Sequence, residues 1–290
     1  MFKIILKFQL SILTVAFISF QQLAIAKVEV ILGSVDLKKN NNLYTNSLPV
    51  MDNSEIIISR SQYVLSYNKD LRNPNWVAWK LESKDLGKSG RATTFTADSE
   101  LAKYLKTSSQ GLKKPVEVSE YTGFCFDRGH QIPSADRSDT TENNKMTFIM
   151  SNIIPQTPYL NRVIWEHLEQ HTRTLIHTQN KKAYIIAGPI YDQDFGKMGL
   201  HHDIQVPSKE FKIIFLLDSN QTPADVNAST ETIAVIMPNT NEDGSQPSVS
   251  NPCPALATSL DTAGPTQDWE KYKTTVSEIE RLSGITFFHR

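Results

Sequence analysis

Cysteine is scarce: the chain of 290 residues holds only Cys125 and Cys253. Two thiols are too few for a disulfide-built scaffold, and they lack the paired spacing of a zinc finger. The 12 glycines and 14 prolines are ordinary for this length, which excludes collagen-like and low-complexity architectures. An excess of either charge is also missing. Lys and Arg number 30 against 31 Asp and Glu, a formal charge of −1. No global basic field draws the chain to nucleic acid or anionic lipid, so a polyanionic partner must be met by a local cluster of Arg and Lys. No stretch beyond the N-terminus approaches transmembrane length, and no internal repeat is visible. What is present is a globular composition, 39% hydrophobic and 21% charged, in a chain long enough to bury a sizeable core.

The N-terminus is a different kind of sequence. Lys3 and Lys7 precede an apolar run from Leu10 to Phe20, and small residues Ala24 and Ala26 close the segment. This is the layout of a secretory signal peptide, residues 1–26, cleaved after Ala26. Gln9, Gln21 and Gln22 keep the run shorter than a bilayer span, which argues against a retained anchor. The expectation is an exported mature chain, periplasmic or secreted, with residues 27–290 as a single domain and no stable membrane association. Export places Cys125 and Cys253 in an oxidising compartment, where they can pair in one disulfide; two buried free thiols are the alternative.

Short β-rich runs recur at Glu55–Ser59, Tyr63–Tyr67, Trp76–Leu81, Met146–Ser151, Ala183–Ala187, Phe211–Leu217 and Thr232–Met237. Several are continuously apolar, as strands in the middle of a sheet are. Between Tyr159 and His177 a helix is expected. Leu160, Ile164, Leu168 and Leu175 fall on one face, and Asn161, Trp165, Glu169 and Arg173 form a second stripe. Trp269, Tyr272, Val276 and Ile279 predict another helix from Pro265 to Leu282. Residues 239–254, rich in Asn, Ser and Pro, read as a surface loop. No regular βα alternation appears. The expected fold class is α+β, a mainly antiparallel central sheet flanked by helices.

Chemistry concentrates between Phe124 and Arg173. Arg128 and His130 flank Gly129, and in an extended chain side chains two apart share a face. A planar guanidinium that can grip two oxygens would then stand beside an imidazole able to move a proton near neutral pH. Gly129 between them would let a substrate backbone approach. On the helix, Asn161 and Glu169 are about 80° apart at 100° per residue, and Arg173 follows Glu169 by one turn. An amide oxygen and a carboxylate are hard donors suited to Mg²⁺, Mn²⁺ or Ca²⁺, and Mg²⁺ keeps several waters, so one direct protein ligand suffices. An arginine clamp, a histidine base and a hard cation are what phosphodiester hydrolysis requires.

The stretch Asp127-Arg128-Gly129-His130, the block Ser151-Asn152…Pro155-Gln156 and the spacing Asn161…Trp165…Glu169 resemble the DNA/RNA non-specific endonuclease family, the sugar-non-specific ββα-metal nucleases. The similarity extends more weakly from Arg72-Asn73-Pro74-Asn75-Trp76 to the C-terminal Gly284-Ile285-Thr286-Phe287-Phe288. The resemblance implies a ββα-metal core at about residues 124–178 and roles for single residues. His130 matches the general base and Asn161 the sole direct ligand of the metal, Mg²⁺ first. Glu169 matches the residue that holds the waters around it. Arg128 and Arg173 match phosphate-facing arginines, Asn152 a residue supporting the active site, and Arg72 an upstream phosphate-binding arginine. Asp127 is expected to brace the backbone. DNA and RNA are the implied substrates, with 5′-phosphate products, and a homodimer is allowed. Cys125 departs from the family's commonest pattern, where a small residue is frequent.

Two rival readings stay open at this point. His167 and His171 are four apart on a helix, as in zinc hydrolases, but Leu168 stands where that motif needs a glutamate. A secreted nucleic-acid-binding protein without catalysis is the other. Trp76-Val77-Ala78-Trp79 reads as a strand rather than a base-stacking face, and His201-His202-Asp203 as a loop.

Overall fold

The computed structural model describes residues 28–33, 40, 42, 49–51, 55–107, 114–222, 225–254 and 268–287. The expected signal segment lies outside them. In chain order the strands are β1 (Val28–Gly33), β2 (Val50–Met51), β3 (Glu55–Ser59), β4 (Val64–Asn68), β5 (Asn73–Leu81), β6 (Asp127–His130), β7 (Ile153–Gln156), β8 (Lys181–Ile190), β9 (Lys197–Met198), β10 (Ile204–Gln205), β11 (Lys209–Asp218), β12 (Glu231–Pro238) and β13 (Ile285–Thr286). The α-helices are α1 (Ser99–Thr107), α2 (Thr141–Met146), α3 (Trp165–Gln179) and α4 (Val276–Ser283).

Seven strands join in the order β1-β3-β4-β5-β8-β11-β12. Only β1 and β3 run parallel; the other pairings are antiparallel. The chain is therefore an α+β fold around a mainly antiparallel sheet. Alternation along β5 divides its side chains between two cores. Val77, Trp79 and Leu81 join Leu101 and Leu105 of α1 and Leu168 and Ile176 of α3 on one face. Trp76 and Ala78 join Ile279 of α4 and Phe287 on the other. Burying each large apolar side chain contributes about 1.5–3 kcal/mol, and a slip of one residue would exchange the two sets, so register is fixed by packing. Both tryptophans are fully buried, so this run is core rather than a stacking surface. No helix among the described residues is long and apolar enough to cross a membrane.

Three segments differ from the sequence reading. Met146–Ser151 is not a strand: α2 ends at Met146 and a 3₁₀ turn covers Met150–Asn152. Its apolar residues Phe148 and Met150 are buried all the same, so burial with no more than an isolated bridge of Ile149 to Thr96 produced the strand-like pattern. The helix expected from Pro265 begins outside the described residues and is broken within them. A 3₁₀ segment covers Asp268–Tyr272, Thr274 donates its N–H to Ala234 O, and Thr275 caps a separate α4 by accepting from the Glu278 N–H. The long helix after Tyr159 opens with a π-helical turn, Leu160–Ile164, before α3.

β6 and β7 form a two-stranded antiparallel ribbon beside the main sheet, over a smaller core that includes Tyr121, Phe124, Phe126 and Ile153. Cys125 and Cys253 are joined in a disulfide, with Cα atoms 5.1 Å apart across a separation of 128 residues. It fastens the loop after β12 to the segment that leads into β6.

Candidate active site

The register of the ribbon pairs His130 with Ile153 and Arg128 with Pro155. Arg128 and His130 do share a face. The Arg128 guanidinium carbon lies 5.4 Å from the centre of the Phe95 ring, and the His130 ring centre is 5.4 Å from the same ring. Phe148 packs against the imidazole at 4.8 Å. His130 is only 7% exposed, and its Nε2 has no hydrogen-bond partner among the described residues. Burial pushes its pKa down to about 3, the Arg91 charge adds to this, and a hydrogen bond to the Arg128 backbone opposes it. A neutral imidazole with an unpaired ring nitrogen is chemically a base.

Asn161 sits in the π-helical turn, and such turns concentrate at functional positions. Its Nδ2 donates to Asp127 Oδ2 at 2.8 Å. Asp127 also accepts from Arg162 Nε at 2.7 Å and Nη2 at 2.6 Å. An ionised carboxylate only accepts, so it fixes which end of the Asn161 amide turns toward it and leaves Oδ1 for the cleft. Asp127 thus braces a side chain, not the backbone as the sequence reading held.

On α3, Glu169 Oε1 accepts from Lys212 Nζ at 3.3 Å, and Arg173 Nη1 stands 3.9 Å from Oε2. Burial raises the Glu169 pKa against the opposing charges of Lys212 and Arg173. Arg173 Nη1 also donates to Asp136 Oδ1 at 3.2 Å, and Asp136 Oδ2 accepts from Trp79 Nε1 at 2.9 Å.

His130, Asn161 and Glu169 line one cleft of about 270 Å³, together with Arg91, Ser134, Arg162 and Glu166. Arg173 lines a separate groove with Gln170 and His177. Arg128 does not line the cleft. Its guanidinium lies between Phe95 and Tyr121, and Nη2 donates to Val118 O at 3.1 Å. Asn152 is fully buried behind the site. Its Nδ2 donates to Ile132 O and Thr147 O, and its Oδ1 accepts from the Ile132 N–H, which holds the chain two residues after His130.

Arg72 is a correction. It is 3% exposed, and Nη1 and Nη2 each reach the Glu120 carboxylate at 2.7 Å. Nη1 also meets Asp203 at 2.5 Å, and Nη2 donates to Lys114 O and Pro115 O. A guanidinium so paired pins loops together, and its one donor without a partner among the described residues, Nε, is buried out of reach of a phosphate. Arg91, which sequence reasoning passed over, stands at the cleft instead, donating to Ser134 Oγ with its guanidinium 5.1 Å above Phe148. Nothing in its Ser-Gly-Arg-Ala surroundings distinguishes it from a solvated loop arginine.

The zinc-hydrolase pair is also corrected. His167 Nδ1 is 3.0 Å from Asp268 Oδ1 and the His171 ring packs on Trp269 at 4.9 Å, so both serve the contact of α3 with the C-terminal segment. Among the described residues no group of three or more His, Cys, Asp or Glu could cage a metal. The donor set at the cleft is of another kind. The Asn161 amide oxygen and the Glu169 and Glu166 carboxylates are hard oxygens in a polar, open space, which fits a divalent cation that keeps most of its water.

The family model described as DNA/RNA non-specific endonuclease matches residues 39–290. A nuclease from Nostoc sp. is 38% identical over 232 residues, 80% of this chain and 72% of that protein. Mitochondrial endonuclease G from Bos taurus is 26% identical over 241 residues, 79% of this chain and 68% of that one. The crystal structure of the EndoG/EndoGI complex shares the fold with a TM-score of 0.58 at 22% identity, over 79% of this chain and 84% of that chain.

Proposed function

The chain belongs to the DNA/RNA non-specific endonuclease family and is thus a hydrolase acting on nucleic acid, and from that premise we propose an exported, Mg²⁺-dependent enzyme in which His130 is the general base and Asn161 holds the cation. The observation that carries this reading is the buried, unpartnered Nε2 of a neutral imidazole on the same cleft as Asn161 and Glu169.

A water between His130 and the scissile phosphorus loses its proton to Nε2 as it attacks. Burial keeps that nitrogen free of a proton until substrate arrives. Asn161, with Glu169 nearby, would hold the cation, which supplies Lewis-acid stabilisation of the charge on phosphate and leaving oxygen. Asp127 keeps the Asn161 oxygen turned to the cleft. Arg91 and Arg162 at the cleft attract the phosphate, and Arg173, held by Asp136, and Arg128 add positive field behind them. Departure of the 3′-oxygen leaves a 5′-phosphate on the other fragment. Low sequence preference follows because these groups address phosphate and not base edges.

The test is digestion of plasmid DNA and of RNA by the purified mature protein, with and without EDTA, beside His130→Ala. Loss of a general base costs roughly 10²–10⁴-fold, so His130→Ala should scarcely nick while still folding, and EDTA should stop wild-type cleavage. Undiminished turnover by His130→Ala would refute the assignment. Binding of nucleic acid without cleavage in Mg²⁺ would favour a binding protein.

A further inference from the structure

Beneath the cleft lie two ionisable side chains that the reaction as described does not use. Glu210 is fully buried and Lys212 is 2% exposed. Both belong to β11, which is hydrogen-bonded to β8 on one side and β12 on the other along nearly its whole length. Two apart on a strand, they face the same way, continued by Ile214 and Leu216 in the core under α3.

Each reaches a different part of the site. Glu210 Oε2 accepts from Gln131 Nε2 at 2.9 Å and from Gln156 Nε2 at 2.7 Å. Gln131 follows His130 directly, and Gln156 lies on β7 opposite Asp127. Lys212 reaches up to Glu169 Oε1 at 3.3 Å, with its ammonium 4.0 Å from the centre of the Trp165 ring. One carboxyl thus ties the ribbon of the base to β11, and one ammonium ties the metal helix to the same strand.

Resting on the nuclease reading, we propose that Glu210 and Lys212 are positioning residues that set His130 and Glu169 in register by anchoring the ribbon and the helix to a single rigid strand. Stability alone does not account for them. Buried ionisable groups cost several kcal/mol of desolvation each, and well-packed apolar residues of like volume often serve a core as well or better. Glu210 Oε1 has no hydrogen-bond partner among the described residues, so the carboxyl is not fully satisfied where it lies. Burial also pushes the Glu210 pKa up to about 8, so near neutrality it holds both amides without placing a negative charge under the phosphate. The charged and titratable groups that bear on it are Lys212 and Glu169, and its own field is felt by Tyr121 and Tyr191.

The experiment compares Glu210→Ala, Glu210→Gln and Lys212→Met with wild type by kcat and KM on plasmid DNA, and by the Mg²⁺ midpoint read as a thermal shift. A displacement near 1 Å costs about 10²-fold in rate. Glu210→Ala should therefore lose kcat on that scale with KM nearly unchanged, and Glu210→Gln, whose amide oxygen still accepts, should recover most of the loss. Lys212→Met keeps an apolar stem over Trp165 but frees Glu169, so its Mg²⁺ midpoint should rise roughly tenfold. Folded Glu210→Ala with wild-type kcat, or Lys212→Met with an unmoved midpoint, would overturn the proposal. Should Glu210→Ala fail to fold, equal kcat losses in Glu210→Gln and Lys212→Met with an unmoved midpoint would overturn it. A wild-type protein that does not cleave would instead overturn the nuclease reading.

Discussion

Gly129 offers the sharpest test of how the ribbon is held. A Cβ built on it would fall 2.2 Å from Gln156 Oε1, 2.3 Å from Cδ and 2.4 Å from Cγ. The glycine between Arg128 and His130 is therefore there to admit Gln156 from below, not to admit a substrate backbone from above. Gln156 is fully buried and tied to Glu210, so it cannot swing aside cheaply. Gly129→Ala must either shift the ribbon or break that hydrogen bond. Overpacking of this kind costs about 1–3 kcal/mol, and a buried polar group left unpaired about 1–3 kcal/mol more. A loss of at least ~2 kcal/mol lowers the melting temperature by about 4–8 °C for a chain of this size. Because the same shift moves His130, kcat should fall by about 10²-fold. Calorimetry and plasmid-nicking kinetics on Gly129→Ala, Gln156→Ala and the double variant complete a cycle. The double variant should be more stable than the two single losses added together, since removing Gln156 opens the space. Strict additivity, or a Gly129→Ala enzyme with wild-type melting and turnover, would refute the argument.

Two further outcomes follow from the same geometry. Burial pushes His130 down to about 3 in the folded chain, against about 6.5 when unfolded, so below pH 6.5 the unfolded chain takes up a proton that the folded one refuses. The stability this contributes is full above pH 6.5 and fades as pH falls toward 3, with about 2 kcal/mol gone at pH 5; denaturant unfolding at pH 8 and pH 5 should show the margin of wild type over His130→Phe shrinking by that amount, and parallel pH dependences would contradict it. Asp127→Ala releases the Asn161 amide and Arg162 together, so the Mg²⁺ midpoint should rise by roughly 10–100-fold, and a midpoint equal to that of wild type would mean that Asp127 does not orient the amide.

Legibility in the sequence followed what kind of interaction fixed each residue. β3, β5, β8, β11 and β12 could be read because long apolar runs bounded by polar residues can scarcely be anything but buried strands. Met146–Ser151 carries the same signal with only an isolated bridge to Thr96, and periodicity does not separate the two cases. The cluster from Asp127 to Arg173 was readable because Asp127–His130 form one short strand and Asn161 to Arg173 one continuous helical stretch, where spacing states which side chains share a face, and because the motifs resemble a known family. Arg72 and Arg91 were not separable on that ground. What decides between them is pairing with Glu120 and Asp203, 48 and 131 residues from Arg72, and no local pattern reports a contact so distant. Glu210 and Lys212 did leave a trace. Two charges two apart, on a face that continues into apolar core, are seldom buried without a partner, and the run Lys-Glu-Phe-Lys at the start of β11 could have been read as a strand passing beneath a polar site.

The near-zero net charge and the nucleic-acid substrate are reconciled by which arginines are spent. Arg60 is paired with Asp98, and Arg72 with Glu120 and Asp203, so their charges are cancelled where they stand. Arg162 is half-neutralised by Asp127, which it shares with Asn161. Among the described residues Arg91 and Arg128 form no ion pair, and both stack on the aromatic rings that also enclose His130. Two arginines with no ion pair among the described residues therefore stand close to the His130 imidazole. On the proposed mechanism, charge placed in this way would draw a phosphate toward His130 even though the chain as a whole is almost neutral.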